Sequence, residues 1–108
     1  MKTHNTFDDI IMKVGENAKE NWQLVENADP EHWWLHLTNQ PSPHVIIEHT
    51  SPNMEITVEG AMLCKANSKC KNLKKVKVDY TQCKNLEKGE EVGEVIYKSL
   101  RKVWSVFV

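Results

Sequence analysis

Six lysines, Lys65, Lys69, Lys71, Lys74, Lys75 and Lys77, lie between Glu59 and Asp79 with no acidic residue among them. A lysine ammonium is a compact charge on a long stem, suited to a phosphate whatever base is attached to it. Displaced counterions supply the free energy of such contacts. The run reads either as a polyanion-binding segment or as a solvated helix end and loop. A second group is His32-Trp33-Trp34-Leu35-His36, with His44 further on. Trp34, flanked by His32 and His36, reads either as a face for stacking unpaired bases or as core, because tryptophans are mostly buried. Burial is expected for Trp33 ahead of Trp34.

Metal and covalent chemistry find less support. On a strand, His32 and His36 stand roughly 13 Å apart, too far to share an ion. Cys64, Cys70 and Cys83 are spaced by six and thirteen residues, which matches no common zinc pattern. Their odd number allows no complete disulfide set within one chain, so reduced thiols in a reducing compartment are expected. There is no phosphate loop, dinucleotide fingerprint or nucleophile elbow. Cys64 beside Lys65 reads as a thiol of lowered pKa or, more commonly on a helix, as a small buried hydrophobe. A Cys–His pair assembled only in three dimensions stays open. The expectation is a non-enzyme with no metal and no cofactor.

The formal net charge of −1 hides a division. Residues 1–59 sum to −7 and residues 60–108 to +6. Such asymmetry suggests a basic face for a polyanion, although folding can intermix the halves. The N-terminal segment is polar and lacks the apolar core of a secretory signal. No apolar run is long enough to cross a bilayer. A cytoplasmic protein without a membrane partner is therefore expected. A length of 108 residues argues for one domain, 1–108, with one modest core.

These groups need a frame to hold them. Asp8–Val14 reads as a strand stopped at Gly15. Asn17 followed by Glu20 resembles a capping box, opening an amphipathic helix over Ala18–Ala28 that Asp29-Pro30 ends. His32–Leu37 reads as a strand with His32, Trp34 and His36 on one face and Trp33, Leu35 and Leu37 on the other. His44–His49 is a second strand, antiparallel to the first. Thr57–Ser68 reads as a helix with Val58, Ala61, Met62 and Ala66 on one stripe, weakened by Gly60. Lys75–Thr81 is a strand with Val76, Val78 and Tyr80 on one face. Gly89 and Gly93 punctuate a loop, and Val92–Tyr97 and Val103–Val108 are the last strands. The sum is an α+β fold, a mainly antiparallel sheet of about five to six strands with two helices.

Five segments, in order, resemble the NFACT-R family. They are Gly15-x-Asn17-x-x-x-Asn21, Trp34-Leu35-His36, Ser42-Pro43-His44-Val45-Ile46, Ala61 to Lys69, and Val76-Lys77-Val78-Asp79-Tyr80-Thr81 followed by Asn85-Leu86 and Gly93-Glu94-Val95. The resemblance spans about residues 8–106. Three departures stand out: His32 where the family has an acid, Pro43 directly before His44, and Glu16 for the commoner lysine. The resemblance implies an RNA-binding domain of ribosome-associated quality-control factors, with tRNA or rRNA, and by extension the ribosome, as partner. The longer factors add an N-terminal domain, a helix-hairpin-helix module and coiled coils, none of which is expected within these residues.

Together these readings predict a non-catalytic RNA-binding module. Lys65, Lys69, Lys71, Lys74 and Lys75 are expected to neutralise phosphates, with Lys84 a weaker contributor. His36 and His44, on adjacent strands, are expected to donate hydrogen bonds, and Trp34 to offer a stacking face. Two other readings stand beside it: a domain docking on a protein through exposed tryptophan, and a DNA-binding domain.

Overall fold

A computed structural model describes residues 1–6 and 8–108. Among the described residues, eight strands, two α-helices and two single 3-10 turns follow one another. Six strands form one antiparallel sheet: β1 (Lys2–Asn5), β2 (Ile11–Val14), β3 (Trp33–Leu37), β4 (Val45–Ile47), β5 (Lys77–Gln82) and β8 (Trp104–Phe107). Their spatial order is β1-β2-β4-β3-β5-β8. The remaining pair, β6 (Leu86–Lys88) and β7 (Val95–Tyr97), is a separate hairpin. The α+β fold with a mainly antiparallel sheet is as the sequence predicts.

Period-two alternation sends successive side chains to opposite faces. On one face, Met12, Val14, Leu35, Leu37, Val45, Ile47, Val76 and Val78 form the larger core with α2 (Met54–Ala66). Asn53 caps α2, its Oδ1 accepting the Ile56 amide at 2.9 Å. The helix buries Ile56, Thr57, Gly60, Ala61 and Cys64. That stripe differs from the predicted one: Met62 and Ala66 face solvent. Gly60, which counts against a helix by propensity, lies on the buried side, where Ile47 Cδ1 is 3.0 Å from the place a Cβ would take. Tertiary packing outweighs intrinsic preference here.

On the other face, Trp34 and Ile46 pack against Leu24 of α1 (Ala18–Asn27) and Leu86 of the hairpin. Asn17 caps α1 as the capping-box spacing predicts, its Oδ1 accepting the Glu20 amide at 2.9 Å. The reciprocal Glu20 carboxylate takes the Glu16 amide at 3.0 Å instead of the cap residue's own. Buried Asn85 fastens the hairpin to the sheet: its amide donates to Thr81 Oγ1 and to the Ser99 carbonyl, and its Oδ1 accepts the Ser99 amide.

Two strands are absent from the sequence reading. β1 pairs with β2 as an N-terminal hairpin, Lys2 opposite Val14. Lys-Thr-His-Asn carries no apolar alternation because β1 is an exposed edge, so periodicity has nothing to register there. β6 is three residues long, too short for a pattern. The predicted strand at Asp8–Val14 begins only at Ile11. Among the described residues, no helix is long and apolar enough to cross a membrane.

Candidate nucleic-acid interface

The loop joining α2 to β5 carries Lys69, Lys71, Lys74 and Lys75, all exposed. None of the four has an acidic partner among the described residues; Lys75 lies over the Phe107 ring, 5.2 Å from its centroid. The four follow one another within a single seven-residue stretch of that loop. The other two predicted lysines differ. Lys65 is half-buried and donates to the Val108 carbonyl at 3.1 Å. Lys84 is held by the Glu31 carboxylate at 3.0 Å, away from the loop and beside the turn that precedes β3. Its charge is already matched, which removes it from the cationic set.

Trp34 is 1% exposed, covered by α1 and the hairpin, and no base can stack on it as the sequence reading expected. The expected ranking of the two tryptophans is reversed. Trp33 is the half-buried one, its indole N–H donating to the Thr50 carbonyl at 3.0 Å and its ring tilted against Tyr80 and Trp104. A strand between two packed layers buries both faces, so alternation alone cannot say which ring is the deeper.

His36 and His44 do meet, as adjacent strands imply. Their ring centroids lie 5.2 Å apart, edge to face. The His36 ring is stacked on Trp34 with planes 8° apart. Burial lowers the His36 pKa, against smaller opposing effects of the Leu37 carbonyl and the Asp79 charge. Burial, with His36 beside it, brings His44 down to about 3. Both rings are therefore neutral at pH 7. The His36 Nδ1–H donates to the Leu37 carbonyl at 2.6 Å, so its proton is spent inside the protein. What His36 offers a ligand is a lone pair, where the sequence reading expected a donor.

Short-range motif residues build the surroundings. The Gly15 amide donates to the His44 carbonyl at 3.0 Å, and Asn21 Oδ1 accepts the His44 amide at 3.1 Å. A Cβ on Gly15 would stand 2.1 Å from that Oδ1. Glycine is thus what lets Asn21 reach the strand. Gly93 has φ +90°, and a Cβ there would meet Ala18 at 3.0 Å, which allows the hairpin tip to rest on the start of α1. The Trp22 indole N–H, donating to the Glu94 carbonyl at 2.8 Å, locks the same contact.

These elements enclose an open cleft of about 540 Å³, lined in part by His36, His44, the first turn of α1, Lys2 and Lys69. A smaller recess of about 250 Å³ adjoins it, sharing His36, His44 and Gly93 and reaching Trp34, Asp79 and Tyr97. Asp79 accepts hydrogen bonds from Thr38, Tyr97 and Ser105. Lys69 is thus the loop lysine that the fold brings to the histidines. Lys2 reaches the cleft from a strand the sequence reading did not find. Asp79, Tyr97 and the α1 start were not foreseen as lining, because only the seating of the hairpin on the sheet assembles them.

Neither cavity is lined by a cysteine. All three thiols are buried and free. Burial pushes Cys64 up and Cys83 up to about 12, leaving no thiolate nucleophile at either. Among the described residues, no three His, Cys, Asp or Glu side chains are grouped to hold a metal ion.

Residues 2–99 match the model of the NFACT protein RNA binding domain. The chain is 30% identical over 107 residues to the Rqc2 homolog RqcH of Bacillus subtilis (strain 168), covering 96% of this chain and 19% of that protein. Among solved structures it is similar to the C-terminal part of the fibronectin/fibrinogen-binding protein from Streptococcus suis, with a TM-score of 0.90 and 28% identity over 99% of this chain and 44% of that one. The chain thus spans about a fifth of the Bacillus relative and under half of the streptococcal chain. A match across nearly all of its length, on the fold and motifs described above, places this chain in the NFACT RNA-binding domain family.

Proposed function

We propose that this chain is a non-catalytic RNA-binding module acting in ribosome-associated quality control, with tRNA or rRNA as its ligand. The observation that carries the reading is the loop of Lys69, Lys71, Lys74 and Lys75, four exposed ammonium groups without acidic partners among the described residues. Phosphate contacts of this kind set affinity and orientation but carry no base selectivity. Lys65 adds field from the end of α2, and His36 and His44 stand under the cleft that Lys69 borders. The family match and the RqcH likeness support RNA and the ribosome as the setting. Gel-shift titration with tRNA and with rRNA fragments, at low and raised salt, tests it. A shift at low salt that weakens steeply with salt is expected; no shift at low salt ends the proposal. Competition between matched RNA and DNA strands separates RNA from DNA binding.

A second reading, docking on a protein, is favoured by one observation. Trp104 is 47% exposed and stacks on Tyr80 at the open edge strand β8, near the exposed Leu100. Pull-down after nuclease treatment distinguishes the two: a partner that persists supports protein docking, and one that is lost supports RNA.

A further inference from the structure

We propose that β8 is an edge that accepts one further strand, an extended protein segment with apolar residues at its centre and carboxylates flanking them. The inference rests on the protein-docking reading above, gives that docking a mode and a partner chemistry, and leaves the lysine loop free for RNA.

β8 closes one side of the sheet and pairs only with β5. Val76 and Val108 exchange both backbone hydrogen bonds, at 2.8 and 2.9 Å. Antiparallel pairs alternate between bonded and non-bonded residues. In the same register, Val106 opposite Val78 and Trp104 opposite Tyr80 turn their amides and carbonyls inward to β5. Ser105, opposite Asp79, and Phe107, opposite Lys77, turn theirs outward. Lys77 conforms to this alternation, since its carbonyl takes the Thr38 amide on the β3 side. Among the described residues, neither the Ser105 nor the Phe107 backbone has a hydrogen-bond partner.

The side chains separate this edge from the opposite one. β1, the other edge, reads Lys-Thr-His-Asn and is polar throughout, as edges that deter strand addition are. From Val103 to Val108 there is no charged residue. Trp104 is 47% exposed and Phe107 58%. Three apart on a strand, they stand on opposite faces. Trp104 shares its face with Tyr80, on which its ring is stacked. An added strand lays one side chain beside Trp104 and another beside Phe107, and so removes apolar surface from water on both faces.

The surrounding charge selects the partner. Lys98, Arg101 and Lys102 precede β8 and are exposed. At its far end Lys77 stands opposite Phe107, and Lys75 lies over the Phe107 ring. None of these five cations has an acidic partner among the described residues. Asp79, which accepts the Ser105 hydroxyl at 3.0 Å, is already engaged by Thr38 and Tyr97. Cations toward both ends suit carboxylates at both ends of an incoming segment. They oppose self-pairing, because an antiparallel contact between two copies of β8 brings the Arg101–Lys102 end of each to the Lys75–Lys77 end of the other. RNA answers the cations but has no row of alternating amides and carbonyls to match the open backbone, whereas an extended peptide has both.

The test uses the whole chain labelled with ¹⁵N and a capped ten-residue peptide of alternating valine and threonine with two glutamates at each end. The same peptide with lysines for the glutamates is the control. The acidic peptide is expected to slow hydrogen exchange of the Ser105 and Phe107 amides at least tenfold, to shift the Trp104 indole signal, and to bind at least tenfold more tightly than the control. Ser105→Pro removes one outward amide and leaves the β5 ladder whole. It is expected to weaken the peptide at least fivefold, whereas Ser105→Ala, which keeps the amide, binds as the native chain does. Should Ser105→Pro not fold, amide protection in the native chain decides alone. If the peptide shifts the Trp104 indole but both amides exchange freely, the inference falls and docking through exposed tryptophan stands. If it moves no signal at millimolar concentration, the inference falls, and loss of a nuclease-resistant partner in Trp104→Ser then shows whether docking at this edge stands without it. The edge has another occupant, and the inference is overturned, if single-stranded RNA protects the same two amides or if the chain alone doubles its mass on concentration and Ser105→Pro abolishes that.

Discussion

At the residue scale, the decisive feature is that burial holds the His36 and His44 imidazoles neutral. An unfolded histidine titrates near pH 6.5. Burial holds His36 below that and His44 at about 3. Above the unfolded value both states are neutral and the shifts cost nothing. As pH falls below it, the unfolded chain takes up protons that the folded chain refuses, and stability is lost until the folded value is reached. Denaturant midpoints should fall steadily from pH 7 toward pH 4, and His44→Gln should make that fall shallower. An equal slope in the variant would show that His44 is not the group responsible. The tryptophans divide in the same way. Trp34→Ala should cost about 3–5 kcal/mol, as for a fully buried ring. Trp33→Ala, from a half-buried site, should cost less, and chemical denaturation of both orders them.

At the element scale, the cationic loop and the fold barely share residues. Lys71, Lys74 and Lys75 are exposed and, among the described residues, joined to no carboxylate. Reversing all three to glutamate should weaken RNA binding at least tenfold and leave the melting temperature within a few degrees; unfolding would make those lysines structural. Lys84→Glu is the matched control. Its loss of the Glu31 pair should cost no more than about 1 kcal/mol, since the pair is largely exposed, and RNA binding should change little. A different element-level effect belongs to the junction of α1 with β4. Gly15→Ala drives a methyl into Asn21 Oδ1 and releases the His44 amide. A loss of about 1–3 kcal/mol is expected, read by thermal unfolding. An unchanged melting temperature would show that Asn21 finds another path to the strand.

At the scale of the whole molecule, two ion pairs join the acidic and basic halves of the chain. Glu31 and Glu26 of the acidic half take Lys84 and Lys88 of the basic half. Among the described residues, folding leaves the four lysines of the loop before β5 without acidic partners, and Lys98, Arg101 and Lys102 near the C-terminus likewise. With four lysines on single-stranded RNA, and roughly 0.7 counterions released per phosphate contact, the plot of log K against log salt should have a slope of about −3. A slope near zero would mean that the lysines are not at the interface. A slope near −6 would bring in the further cations, Lys2, Lys65 and Lys77 among them.

Much of the architecture was legible because its causes are local. Asn17 with Glu20 marks a helix start, alternation in Lys75–Thr81 marks a strand, and the motifs from Gly15 to Val95 mark the family whose RNA-binding domain model the chain matches. Local signals do not reach across space. Trp33 and Trp34 are neighbours of one type, and only the layers that close over the two sheet faces decide which is sealed. Lys84 looks like any other lysine until Glu31, far away in sequence, is brought beside it. The cleft and its recess depend on Gly93 resting against Ala18 and on Asn85 holding the hairpin to the sheet. Residue type and spacing set the available donors, charges and periods; burial, and with it neutrality, pairing and access, is a property of what packs against each group, which only the folded chain defines.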